Sequence, residues 1–252
     1  MHTMLGTKHL IILALTTVFI VAALLLTRKW NLAKFVRVML YVGIVSEIIK
    51  VFYYTLANEE TLGGILPKPD LPFHLCSIQI IFFLIINLVK NEKLHRFLYS
   101  FMLPSCILGG LAAILIPTES SLNGHWVLSV QFFGYHACVV GFGLQLARSS
   151  EFKLELKDYV NCLKLLLCMI FFAMYMNSAL YFYDPITGEL IETNFMYVSS
   201  PPVEGLPYLN ENHGWVVYLC HYGFLVLLCV TVTYIKPILR ALFKKKASEA
   251  IN

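Results

Sequence analysis

The strongest constraint in this sequence is a succession of long apolar runs that carry almost no charge. Leu10 to Leu26 holds no ionisable residue at all and ends in Thr27-Arg28-Lys29. Several runs reach or exceed the ~18 residues that mark a bilayer-crossing helix. Across the chain 58% of residues are hydrophobic and 13% charged, against roughly 25% charged in a soluble domain. The chain is therefore expected to be all-α, a polytopic membrane helix bundle forming one transmembrane domain over residues 1–252. Seven spans are predicted, at about 9–27, 34–56, 71–89, 96–116, 126–147, 159–182 and 215–235. The first run shows no small-residue cleavage site and reads as a span, not a removable signal.

Basic residues follow the ends of these runs. Of the 19 Lys and Arg, 16 fall on one side: the links near 28–37, 90–96 and 148–164, and the tail. The positive-inside rule then places the N-terminus outside and residues 237–252 as a basic cytoplasmic tail. The net charge of +4 thus reflects topology and gives no indication of nucleic-acid binding. The links on the other side differ. Residues 58–70 are acidic and turn-rich, and the long loop 183–214 carries five acidic residues and no Lys or Arg. Within that loop, the aromatic run Asn194-Phe195-Met196-Tyr197 predicts a segment that folds back over the outer end of the bundle. The seven cysteines sit in or beside apolar runs. They form neither a disulfide framework nor a metal-ligand spacing, so no metal or cofactor is expected.

Ionisable groups inside a membrane are expensive and mark function by default. They concentrate here in the outer half. Pro72-Phe-His-Leu-Cys-Ser-Ile-Gln79 opens the third span, with Pro72 placed in the first helical turn and Asp70 just before it. Cys76 then lies ~8 Å below the outer start, and Gln79 shares its face at i, i+3, while His74 points nearly the opposite way. His125, Ser129, Phe132 and His136 form one stripe on the fifth span, and Glu47 and Lys50 are spaced to pair on the second. Asn177 and His221 lie in the outer halves of the sixth and seventh. Taken singly, each has a structural reading: Cys76 as packing, His136 as a core histidine bonded to a carbonyl, Glu47–Lys50 as helix glue, His74 as interfacial, His125 as exposed, Asn177 and His221 as interhelical hydrogen-bonders. Their shared leaflet points instead to a polar pocket.

At Leu71-Pro-Phe-His-Leu-Cys76 the chain resembles the YwaF-like integral membrane proteins, related to animal transmembrane protein 164. Gln131-Phe-Phe-Gly-Tyr-His136, Asn177, and Asn194-Phe-Met-Tyr197 followed by Pro201 carry the same resemblance. It departs at Ser200, where a basic residue is expected, and in a longer stretch between Asn177 and Asn194. Since the animal relative is an acyltransferase acting on lyso-ether phospholipids, the resemblance implies a Cys nucleophile matching Cys76 and a His matching His136.

The expected activity is acyl transfer between lipids in the cell membrane, from a phospholipid donor to a lysophospholipid acceptor, through a thioester on Cys76. His136 is the candidate base, although upright helices leave it ~7 Å deeper than Cys76. His125 or His74 inherits that role if the gap stays open. His74, Gln79, Gln131, Asn177, Asn194 and Tyr197 are expected to bind substrate or the oxyanion, and Glu47 and Lys50 to support them, Glu47 by orienting His136. Two rivals remain at this level: an intramembrane lipid hydrolase in the same pocket, and a carrier or sensor that binds a small polar ligand there.

Overall fold

A computed structural model describes residues 6–57, 66–183, 188–202 and 214–249. Ten helices make up almost all of it: α1 Thr7–Leu26, α2 Leu32–Phe52, α3 Leu75–Leu88, α4 Glu92–Pro104, α5 Gly110–Leu115, α6 Glu119–Asn123, α7 Trp126–Arg148, α8 Leu156–Leu180, α9 Trp215–Thr233 and α10 Ile235–Glu249. The all-α expectation holds, apart from one two-stranded ribbon, β1 (Phe182–Tyr183) and β2 (Leu190–Ile191), paired antiparallel in the long loop.

Five segments are long and apolar enough to cross a membrane: α1, the continuous Glu92–Leu115, α7, α8 and α9. The predicted second span, α2, has the length at 21 residues but carries Lys34, Arg37, Glu47 and Lys50. The predicted third, α3, is apolar but only 14 residues long. It starts at Leu75 and not at Leu71 because of Pro72. A residue before proline is driven out of the helical region, and Leu71 is extended (φ −59°, ψ 150°). The chain turns through Lys68–Asp70, and His74 becomes the N-cap of α3. Residues 58–65, and 184–187 and 203–213 of the long loop, lie outside the described residues. The tail read as merely basic forms a helix as far as Glu249.

Helix ends are set by ordinary capping chemistry. Asn31 caps α2 by accepting from Lys34 N (2.8 Å), and Asn91 caps α4 by accepting from Leu94 N (3.1 Å). Glu155 and Asp158 form a reciprocal capping box at α8. Pro104 lacks an N–H, so the Ser100 carbonyl loses its helical donor. The Tyr234 hydroxyl donates to that carbonyl instead. The helix continues through a π-helical turn, Ser105–Gly109, into α5. A second π-helical turn, Tyr53–Ala57, extends α2.

Helix α7 is the hub: α1, α2, α5 and the π turn 105–109 all pack on it, while α4 packs on α8. Phe83, Met102, Leu103, Cys106, Phe142 and Leu146 are buried at the centre, with Phe83 and Phe142 edge-to-face at 4.8 Å. Close approaches at Gly43 and Gly143 need glycine. A Cβ on Gly43 would lie 2.6 Å from Ile80, and one on Gly143 would lie 2.6 Å from Ile107. The first clamps α2 onto α3 directly below the candidate site.

Candidate functional site

Cys76 is half-buried in the first turn of α3. The first bond of that helix runs from Ile78 N to His74 O (3.0 Å), and His74 makes no side-chain cap. Among the described residues the N–H groups of Leu75, Cys76 and Ser77 have no hydrogen-bond partner. Free N–H groups at a helix start concentrate positive potential, so the Cys76 side chain sits beside donors that could receive an oxyanion. Its carbonyl receives a second bond, from the Tyr135 hydroxyl (2.8 Å). That bond sets the His136 turn of α7 alongside the start of α3.

The imidazole of His136 is nearly buried, 9% exposed. Its Nδ1 lies 2.7 Å from the Phe132 carbonyl. A carbonyl only accepts, so Nδ1 carries the proton and Nε2 presents a lone pair. Phe132 also covers one face of the ring, with centroids 4.2 Å apart. The group that orients this base is thus a backbone carbonyl four residues earlier. Glu47 is engaged elsewhere. Among the described residues no hydrogen bond joins His136 to the Cys76 thiol.

A strap built from residues 193–200 closes over this turn. Asn177 holds it: its Oδ1 accepts from Phe195 N (2.7 Å) and Thr193 Oγ1 (3.1 Å), and its Nδ2 donates to Phe195 O and Ser199 Oγ. Tyr222 bonds the Met196 carbonyl, Tyr218 the Tyr197 carbonyl (2.5 Å) and Trp215 the Val198 carbonyl. Asn194 binds Ser200 through both main-chain and side-chain atoms. These ties sustain a costly backbone. Asn194, Met196 and Tyr197 have φ of 44°, 55° and 55°, each worth ~1–2 kcal/mol of strain for a residue with a Cβ. What they secure is contact: Phe195 packs on His74 (5.1 Å) and Phe73 (5.4 Å), and Tyr197 on His74 (5.9 Å). Burial, and next the neighbouring Cys76, raise the Tyr197 hydroxyl above its ordinary pKa.

On the other side of α3 lies a charged group. Lys50 and Glu47 pair at 2.8 Å, as their spacing predicts. Ser77 donates to Glu47 (3.3 Å). Asp70 bonds the Tyr54 hydroxyl, and its carboxyl is raised above the usual range by burial first, with Lys50 and Tyr54 pulling the other way. Below this group a groove of about 440 Å³ runs between α2 (Ile44, Ile48, Val51, Phe52) and Ile80 of α3, with Glu47 in its wall. Ile80 is one turn from Cys76 on the same face.

The model of the TMEM164 family matches residues 4–234. The chain belongs to the TMEM164 family. Neither the curated proteins nor the solved structures returned a match. The membership bears out the resemblance to relatives of transmembrane protein 164, and with the apolar helices it makes this a multi-pass membrane protein.

In this TMEM164-family chain the remaining candidates take structural positions around Cys76 and His136. Gln79, fully buried, donates to Leu75 O (3.2 Å) and Ser105 Oγ (3.0 Å), which leaves its unpartnered Oε1 as an acceptor. Gln131 donates to Ser46 Oγ (2.7 Å). Gln79 thus directs its donors to its own helix and to the π turn, and Gln131 directs one to α2. Asn177 and Asn194 build the strap. His125 caps α7 from an exposed position, accepting from Val127 N (3.3 Å). His221 is exposed on α9. Among the described residues no cluster of three or more His, Cys, Asp or Glu is arranged to hold a metal. Sequence reasoning passed over Tyr135 and Ser77. Tyr135 is next to the named histidine, and its hydroxyl at a buried position needed a partner. That partner was a backbone carbonyl, which no motif marks.

Proposed function

We propose that this chain is a membrane-embedded lipid acyltransferase with Cys76 as nucleophile and His136 as base. The observation that carries the reading is the Cys76 thiol in the first turn of a helix whose N–H groups are free, tied through the Tyr135 hydroxyl to the turn of α7 that carries His136, whose Nε2 is held unprotonated. His136 Nε2 takes the thiol proton, and the sulfur attacks the ester carbonyl of a phospholipid. The N–H groups of Cys76 and Ser77 receive the developing oxyanion. Collapse breaks the ester C–O bond, His136 protonates the departing lysolipid oxygen, and a thioester remains on Cys76. A lysophospholipid hydroxyl then gives its proton to His136 and attacks the thioester. Cys76 leaves as thiolate and recovers the proton.

The setting suits lipid substrates. The groove beside Ile80, one turn from Cys76, is walled almost wholly by apolar side chains of α2, a lining that suits an acyl chain. In this reading α2 and α3 complete seven crossings in the cell membrane. The short α3 is extended by the 66–73 segment, and the charges of α2 lie near the ends or in the Glu47–Lys50 pair. The basic links then face the cytoplasm and the site faces outward. No cofactor enters the scheme.

The test uses the purified chain in vesicles with a lysophospholipid and a phospholipid bearing a labelled acyl chain. Labelled diacyl product, with a hydroxylamine-sensitive label on wild type and none on Cys76→Ala, supports the scheme. Labelled free fatty acid without new diacyl lipid makes the protein a hydrolase. No turnover of either kind, or full activity in Cys76→Ala, overturns the covalent mechanism.

A further inference from the structure

The C-terminal helix has no part in the chemistry above, yet its surface is organised. Helix α9 has 19 residues, so it rises ~28 Å, close to the ~30 Å of a bilayer's hydrocarbon core. The helical path breaks at Tyr234 (φ −98°, ψ 11°). Tyr234 is fully buried and pinned by its hydroxyl to Ser100 O. Helix α10 therefore begins where the hydrocarbon ends, on a hinge fixed to the bundle. The break leaves α10 free of the direction of α9.

Three faces run along α10. Pro237 is buried, and Ile238 packs against the main core, so this face lies on the bundle. Beside it runs a bare apolar stripe of Ile235, Leu239, Leu242 and Phe243, exposed by 46%, 42%, 59% and 68%. Beyond that stripe Lys236 and Arg240, one turn apart, are exposed. The sequence continues with Lys244, Lys245 and Lys246, and Glu249 is the helix's one acidic residue. An apolar stripe edged by cations has the surface chemistry of a helix lying in the headgroup layer of an anionic membrane.

We infer that α10 lies along the leaflet surface, its apolar stripe sunk between the lipids and its basic edge paired with anionic headgroups. The same helix projecting into water would expose four large apolar side chains in a row. A protein partner is the poorer fit, because the stripe is only four residues long and adjoins the end of a membrane span.

Hydrogen–deuterium exchange on the full chain tests this, in nanodiscs of phosphatidylcholine alone and in nanodiscs containing phosphatidylserine. Amides of 239–247 are expected to exchange at least ~10-fold more slowly with the anionic lipid, and 0.5 M salt should erase much of that difference. The double variant K236Q/R240Q should lose most of the protection while the α9 amides stay unchanged, which shows that the bundle is intact. Equal exchange in the two bilayers, whether fast or slow, overturns the inference. The result is independent of any acyltransferase activity.

Discussion

The two ends of this bundle handle buried polar groups in opposite ways. At the end far from Cys76, partners are complete. Arg96 grips Asp158 with two bonds (2.8 and 2.7 Å) and reaches the Lys153 carbonyl. Asp158, fully buried, also closes the capping box through Glu155 N (2.8 Å). Glu155 pairs with Lys157 and Arg96, and its pKa is lowered by the Lys157 bond first. Arg148 joins Gln145 to the Leu24 carbonyl, and Gln145 reaches the Trp30 carbonyl. At the Cys76 end, bonding is left open: three free N–H groups on α3, the Nε2 of His136, the Oε1 of Gln79, and three left-handed residues in the strap. A saturated network fixes helices. An unsaturated one, in a setting where such groups are expensive, is what the proposed acyl-transfer site requires.

That contrast sorts substitutions into two kinds. The largest effect belongs to Cys76→Ala, which should reduce acyl transfer by at least ~10⁴-fold with no loss of thermal stability, since it removes the nucleophile and little volume. A stability loss with retained transfer would place Cys76 on the scaffold side. His136→Ala should lower the rate by ~10²–10⁴-fold, measured as labelled diacyl lipid formed per folded molecule. Arg96→Met is the opposite experiment. It strands the buried Asp158 carboxylate and should destabilise the protein by ~3 kcal/mol, the low end for a broken buried pair because Arg96 is 28% exposed. Activity per folded molecule should hold, and thermal unfolding in detergent alongside the lipid assay separates the two. Asn177→Ala removes the strap's anchor and should cost ~2 kcal/mol through unpaired Phe195 and Thr193 groups, with faster amide exchange across 193–199.

The smallest effect concerns Asp70. Its carboxyl has a raised folded-state pKa, so the folded chain holds that proton more tightly than the unfolded chain. The stability this contributes is full below the ordinary Asp range and falls as pH rises through the folded value. Asp70→Asn should flatten that part of the stability–pH curve, which unfolding midpoints at several pH values would reveal.

Much of the scaffold end was legible in advance. Apolar runs gave the long helices to within a few residues, since hydrocarbon length sets the span. The pairing of Glu47 with Lys50 followed from helical spacing alone. At the site the sequence named Cys76 and His136 but misplaced their surroundings. Pro72 reads from the sequence as a first-turn proline, whereas it holds Leu71 extended, delays the helix to Leu75 and leaves His74 as the cap. The partners of Gln79, Gln131 and Asn177 are a serine on another helix or backbone of the long loop, and such pairings depend on how helices dock. The break at Tyr234 has a local signal in Pro237, which offers no N–H to the Thr233 carbonyl, whereas the bond from the Tyr234 hydroxyl to the Ser100 carbonyl depends on how the helices dock.

The π turn at Ser105–Gly109 has a consequence for how this protein can change. Such a turn is one residue of surplus chain absorbed within a single helical revolution. Removing that residue would restore even winding while Glu92–Pro104 and Gly110–Leu115 kept nearly their present faces toward α7, so Gly110 would stay seated against Val140 and the His136 carbonyl. What a deletion there alters is the widened turn itself, whose Ser105 accepts from the Gln79 amide, and it leaves the distant ion-pair network untouched.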